Sequence, residues 1–67
     1  MTSEESKALK PGARFQLIVY PRDVSWTVVQ VAATFIEADP WRGADVAMNY
    51  PRVFDLDGLR RYEQVSE

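Results

Sequence analysis

The chain of 67 residues contains neither cysteine nor histidine. Without cysteine it can form no disulfide, and it has no thiolate to ligate a structural zinc ion. It therefore lacks the commonest general base, the thiol nucleophile and the commonest metal ligands. Because these residue types carry most catalytic and metal sites, we expect no enzyme activity, no cofactor and no metal ion.

The net charge and the length of the apolar runs argue against further classes of protein. Eight basic and ten acidic residues give a formal net charge of −2, which disfavours nucleic acid as a partner. The longest apolar run is far shorter than the roughly 18 residues that a membrane helix needs. No basic segment followed by an apolar one marks a secretory signal near the N-terminus. We therefore expect a cytoplasmic protein that contacts no membrane.

The hydrophobic residues make up 46% of the chain and the aromatic residues 12%, which is enough for the core of one small domain. A domain of this size buries only about 60% of the surface of its unfolded chain. Without disulfides or a structural metal ion it needs a well-packed core or self-association, so a homodimer is one expectation.

The polar segment Met1–Lys10 is predicted to be a flexible tail over residues 1–10, and a single domain is predicted over residues 11–67.

The first strand is predicted over Ala13–Tyr20. Phe15, Leu17 and Val19 alternate with their neighbours in the period-two pattern of a strand with one buried face. Pro21 ends this strand, because proline cannot donate a hydrogen bond to a ladder. The Pro11-Gly12 turn precedes it.

The segment Ser25–Glu37 has two interpretations. Its apolar residues fall at helical spacing, but many of them are β-branched and favour a strand. We favour a long, bent strand with a β-bulge near Val28-Val29, which brings Trp26 into the core. A helix at about 26–38 is the alternative.

The rest of the chain is predicted to form short strands and turns. In chain order these are a turn at Ala38–Gly43, a strand at Ala44–Tyr50, a strand at Arg52–Leu56, a tight or 3₁₀ turn at Asp57–Arg60 and a fifth strand at Arg61–Val65. Val46, Met48 and Val53 are the expected inward residues of these strands. A C-terminal helix over 57–65 is the alternative, weakened by Gly58 in its first turn.

Three blocks in this order are typical of one family. They are Lys10-Pro11-Gly12, Trp26-Thr27-Val28-Val29-Gln30-Val31 and Phe54-Asp55-Leu56-Asp57-Gly58-Leu59. On these blocks the chain resembles small bacterial and phage SH3-like barrel proteins, over nearly all of Pro11–Val65. The resemblance implies an all-β fold, a small five-stranded SH3-like barrel. Many proteins of these groups have no assigned function, so the resemblance implies no activity.

The best candidate for a binding site is Pro40-Trp41-Arg42. Tryptophan and arginine dominate interface hot spots, and this pair falls in a predicted loop, where packing does not demand a tryptophan. The equally weighted alternative is that Trp41 folds back and covers one end of the barrel. The complete predicted partner-binding set is Trp41, Arg42, Arg22, Tyr20 and Tyr50.

These observations favour a non-catalytic protein–protein interaction module. An inhibitor or adaptor encoded by a phage or mobile element and acting on a host protein fits the small size and the missing chemistry. An exposed edge strand could add β-augmentation. The alternative is a nucleic-acid-associated module that uses aromatic rings and the six arginines, which are Arg14, Arg22, Arg42, Arg52, Arg60 and Arg61.

Overall fold

A computed structural model describes residues 1–65 and shows a small all-β protein. Five antiparallel strands form one sheet in the order β4-β3-β2-β1-β5. The strands are β1 (Arg14–Leu17), β2 (Ser25–Val31), β3 (Phe35–Arg42), β4 (Arg52–Asp55) and β5 (Tyr62–Val65). The predicted all-β class is confirmed, but the sheet does not close into a barrel and remains open between β4 and β5. The predicted domain runs to residue 67, and its last two residues lie outside the described part.

Strands β2 and β3 form a hairpin, which corrects two predictions. The single bent strand predicted over Ser25–Glu37 is wrong, because the chain reverses at 32–34, where Ala32 N donates to Phe35 O at 2.9 Å. The turn predicted at Ala38–Gly43 is also wrong, since most of this segment belongs to β3. The alternative helix at 26–38 is excluded by the same two strands.

The β2–β3 ladder contains two irregularities in register. On β2, Val28 lies opposite Ala38 while Gln30 lies opposite Glu37, so Val29 is an extra residue. The predicted β-bulge near Val28-Val29 is therefore confirmed. The second irregularity is on β3, where Trp41 is the extra residue.

The core is built around four aromatic rings on the inner face of the sheet. Phe15 and Phe54 meet edge to face at 5.2 Å between centroids, and Trp26 meets Phe54 in the same way at 5.0 Å. Tyr62 packs against Phe15 at 5.3 Å. The prediction that Trp26 belongs to the core is confirmed, since only 2% of its surface is exposed.

The C-terminal third agrees with the prediction more closely than the segment before it. Strand β4, the 3₁₀ helix Leu56–Arg61 and strand β5 confirm the predicted strand, turn and strand, and exclude a helix over 57–65. The strand predicted over Ala44–Tyr50 is wrong, because this segment forms a turn and a short 3₁₀ helix, Val46–Met48. Met48 and Val53, predicted to point inward, are exposed.

The N-terminal segment is ordered, which corrects the predicted flexible tail. Residues Ser3–Lys7 form the helix α1, which packs against the 3₁₀ helix Leu56–Arg61. Met1 and Leu9 are buried in the core cluster. The Met1 amino group donates to Leu59 O at 3.1 Å and to Tyr62 O. Two apolar side chains at the ends of a polar stretch anchor it to the domain.

Helix α1 begins with a reciprocal capping box. Glu5 N donates to Thr2 Oγ1 at 3.2 Å, and Thr2 N donates to Glu5 Oε1 at 3.0 Å. Two hydrogen bonds lower the pKa of the Glu5 carboxyl from its ordinary value. The one from the Thr2 backbone has the larger effect and the one with the Thr2 side chain the smaller. A depressed carboxyl pKa stabilises the folded state above the unfolded pKa, and this contribution is lost as the pH falls through the folded pKa.

We therefore expect α1 to fray as acid protonates Glu5 while the sheet stays folded. Amide exchange of residues 3–7, followed from neutral to acidic pH, measures this fraying. In Thr2→Ala the Glu5 pKa, read from its side-chain carbonyl shift, is expected to move up towards the ordinary value. The backbone N–H of residue 2 is retained in this variant, so an unchanged Glu5 pKa would show that the Thr2 side chain does not contribute to lowering it.

Candidate partner-binding site

Trp41 lies at the bulge near the end of β3 and is half-buried. The guanidinium carbons of Arg14 and Arg42 each lie 4.0 Å from the centroid of the Trp41 ring. Both distances are well inside the range over which a cation is attracted to an aromatic ring. We call these three residues the Trp41 cluster.

The cluster lies on the outer face of the sheet, away from the core. Arg14 pairs with Thr27, and Thr27 pairs with Asp39, so these three residues form one row across β1, β2 and β3. Arg14 Nε also donates to Thr27 Oγ1 at 3.3 Å. Because Phe15 next along β1 points into the core, Arg14 points outward, and the Trp41 ring that it contacts lies on the same face.

A tight backbone contact places the 18–24 connection beside the end of β3. Ala44 N donates to Arg22 O at 2.9 Å. Gly43 has φ +119°, and a Cβ built there would lie 2.4 Å from Asp23 O. Glycine is required at this position, because any side chain would separate the two segments.

The structure therefore unites part of the predicted site. Trp41 and Arg42 are in contact, and Arg22 is brought next to the end of their strand. Tyr20 and Tyr50 are exposed, and within residues 1–65 neither ring belongs to the aromatic pairs of the core. Arg14 was missed as a site residue, because only the pairing of β1 with β2 and of β2 with β3 brings it to Trp41.

A second concave surface lies at the open side of the sheet. It is a cleft of about 460 Å³, lined by β4, the 3₁₀ helix Leu56–Arg61, Leu17 and Tyr62. Three arginines border it, which are Arg52, Arg60 and Arg61. Sequence reasoning noted these arginines only as members of the set of six, without a shared location.

Within residues 1–65, no three side chains of the metal-ligating types come together. No helix in that part of the chain has both the length and the apolar character to cross a membrane. No family model, curated protein or solved structure matches this chain.

Proposed function

We propose that this protein is a non-catalytic protein–protein interaction module that binds its partner through the Trp41 cluster. The observation that carries the proposal is the contact of two guanidinium groups with one half-buried tryptophan ring on the outer face of the sheet. Tryptophan and arginine are the residue types most enriched among interface hot spots.

The position of the cluster on paired strands supports this role. Arg14 and Trp41 belong to β1 and β3, which are both hydrogen-bonded into the sheet. Side chains that are already ordered lose less conformational entropy when a partner binds. A bulge also turns a side chain away from the regular direction of its strand, and bulges are common next to functional sites.

The 18–24 connection, whose Arg22 carbonyl accepts from Ala44 N just beyond β3, contains exposed apolar residues. Ile18, Val19 and Tyr20 follow one another, and 48%, 86% and 55% of their surfaces are exposed. Contiguous exposed apolar residues mark interaction surfaces more often than scattered ones do. We propose that the partner covers both the Trp41 cluster and this connection, including Arg22. Tyr50 stays a predicted contributor to partner binding.

The proposal also covers the fold family and the biological role of the protein. The five antiparallel strands, with a 3₁₀ helix before the last, support an SH3-like fold, which the sequence blocks suggested. The small size and the residue types absent from the sequence support an inhibitor or adaptor encoded by a phage or mobile element. A homodimer in the cytoplasm belongs to the same proposal.

A nucleic-acid-associated module is the second candidate. The arginines that contact Trp41 favour it, because arginine and aromatic side chains together bind single-stranded nucleic acid. The net charge of −2 opposes it. Salt-dependent retention of the protein on a single-stranded oligonucleotide would support this candidate, and no retention at low salt would remove it.

The test of the leading proposal is Trp41→Ala. We expect affinity for a partner, identified by capture from the native host, to fall about thirtyfold or more, which corresponds to about 2 kcal/mol. Calorimetry with the purified partner measures this. Near-UV circular dichroism and thermal unfolding check that the fold is intact.

Phe35→Ala is the matched control, because Phe35 is an exposed aromatic residue of β3 at the opposite end of the strand from Trp41. It is expected to leave the affinity unchanged. If Trp41→Ala keeps full affinity in a folded protein, the Trp41 cluster is structural and the proposed site is wrong.

A further inference from the structure

The open side of the sheet presents two strand edges to one cleft. Strands β4 and β5 lie at opposite ends of the strand order, and within residues 1–65 each pairs with one neighbour only. All four residues of β4 line the cleft, as does Tyr62 at the start of β5. The unpaired backbone groups of an edge strand can pair with another extended chain.

The floor of the cleft is apolar. Phe54 is almost fully buried, and its ring meets that of Tyr62 edge to face at 5.7 Å between centroids. Leu17, half-buried on β1, lies opposite Tyr62 in the β1–β5 ladder. A strand lying along β4 would therefore place alternate side chains over this floor.

The rim of the cleft is rich in arginine. Arg52, Arg60 and Arg61 border it, against two carboxylates, Asp55 and Asp57. In the described part of the chain, residues 1–65, none of the three guanidinium groups forms an ion pair. The excess of positive charge favours a ligand that carries carboxylates.

Arg52 extends over the floor from an inward-facing position. It pairs with the fully buried Ala38 in the β3–β4 ladder, so both side chains lie on the core face. Its guanidinium carbon lies 5.0 Å from the centroid of the Phe54 ring and 6.0 Å from that of Trp26. A cation that rests on aromatic rings keeps its planar donors available for bidentate contact with a carboxylate.

We propose that this cleft binds an extended peptide segment with carboxylate side chains. The backbone of the segment pairs with the free edge of β4, its apolar side chains cover Phe54 and Tyr62, and its carboxylates bind the three arginines. The site is separate from the Trp41 cluster, so it does not depend on the proposed function.

The test uses a fluorescein-labelled hexapeptide, Glu-Thr-Val-Thr-Glu-Thr, titrated with the full chain and followed by anisotropy. Its glutamates and its valine lie on one face of an extended strand, as Arg52 and Phe54 do on β4. Arg52→Gln and Arg60→Gln are each expected to weaken binding about tenfold, as expected for loss of a charged hydrogen bond. Arg22→Gln and Trp41→Ala are the matched controls outside the cleft and are expected to change nothing. In amide shift mapping, the largest shifts are expected at residues 52–55 and 60–62.

Two altered probes separate the parts of the proposal. The same hexapeptide with lysine in place of glutamate is expected not to bind, and equal binding of it would overturn the carboxylate preference. The glutamate hexapeptide with alternate N-methylated peptide bonds cannot pair as a strand, so equal binding of it would overturn strand addition.

Loss of binding in Trp41→Ala alone would place the probe on the Trp41 cluster and overturn the cleft as its site. A dimer of the unliganded protein that dissociates in Arg52→Gln would assign the cleft to self-association.

Discussion

Trp26→Ala is expected to leave much of the chain unfolded at 25 °C. Trp26 is 2% exposed, packs edge to face on Phe54 and lies opposite Phe15 in the β1–β2 ladder. Truncating a buried tryptophan to alanine costs about 3–5 kcal/mol. At about 0.05–0.15 kcal/mol per residue, a domain of this length has a total stability of similar size. Because no disulfide is present to compensate, urea unfolding followed by circular dichroism should show little or no folded baseline.

Trp41→Ala is the matched control for this experiment, because it removes the same side chain from the outer face. The contacts with Arg14 and Arg42 are lost, at about 0.5–1 kcal/mol each. We therefore expect a cooperative unfolding transition at a modestly lower urea concentration. Equal destabilisation by the two substitutions would contradict the assignment of Trp26 to the core and of Trp41 to the surface.

Gly43→Ala is the second substitution with a large expected effect. The new Cβ would lie 2.4 Å from the Asp23 carbonyl oxygen and 2.9 Å from its carbon, and both are backbone atoms. The φ of +119° is itself unfavourable for alanine, at a cost of about 1–3 kcal/mol. The contact between the 18–24 connection and the end of β3 must open. We expect the free energy of unfolding to fall by about 3 kcal/mol or more, since the strain and the clash add.

The other two glycines separate these contributions. Gly12 has φ +95° with no atom near its added Cβ, so Gly12→Ala carries only the backbone penalty of about 1 kcal/mol. Gly58 has neither a positive φ nor a close neighbour, so Gly58→Ala should be neutral or slightly stabilising. Chemical denaturation of all three variants gives the comparison. If Gly43→Ala were no more destabilising than Gly12→Ala, the close approach to Asp23 would not exist.

The predictions of β4 and β5 are correct and rest on turn residues beside these strands. Pro51 precedes β4 and Gly58 lies in the 3₁₀ helix, so β4 and β5 could be read from the sequence. The β2–β3 hairpin could not, because its turn at 32–34 contains neither glycine nor proline. Asp39-Pro40 is a turn signal that tertiary pairing overrides, since both residues lie opposite residues of β2.

The segment Ala44–Tyr50 misled the prediction for a different reason. Val46 and Met48 alternate as in a strand, but Asp45 adopts φ 56°, a left-handed conformation, directly before the 3₁₀ helix Val46–Met48. The apolar alternation therefore reflects no pleated strand. Local patterns do not reveal a single residue with positive φ when that residue is not glycine.

Two of the three residues of the Trp41 cluster were accessible from the sequence. Trp41 and Arg42 are adjacent in the chain, and their residue types indicated an interface. Arg14 and the cleft arginines depend on which strands are neighbours, and this arises from contacts between residues far apart in the chain. Strand order is decided by burial of the whole core, so no window of the sequence contains it.

The two bulges of the hairpin have a consequence for the folding of the chain. Val29 adds a residue to β2 and Trp41 adds one to β3, so the pairing beyond the two bulges is the same as in a ladder without either. A bulge-free ladder is thus a competing register. It differs from the observed one only in the pairs formed by residues 26–29 of β2 and 38–41 of β3. It would place the two tryptophans opposite each other on the outer face and leave Thr27 facing inward. Burial of Trp26 favours the observed register over the bulge-free one, so the pairing of this hairpin depends on the core that surrounds it.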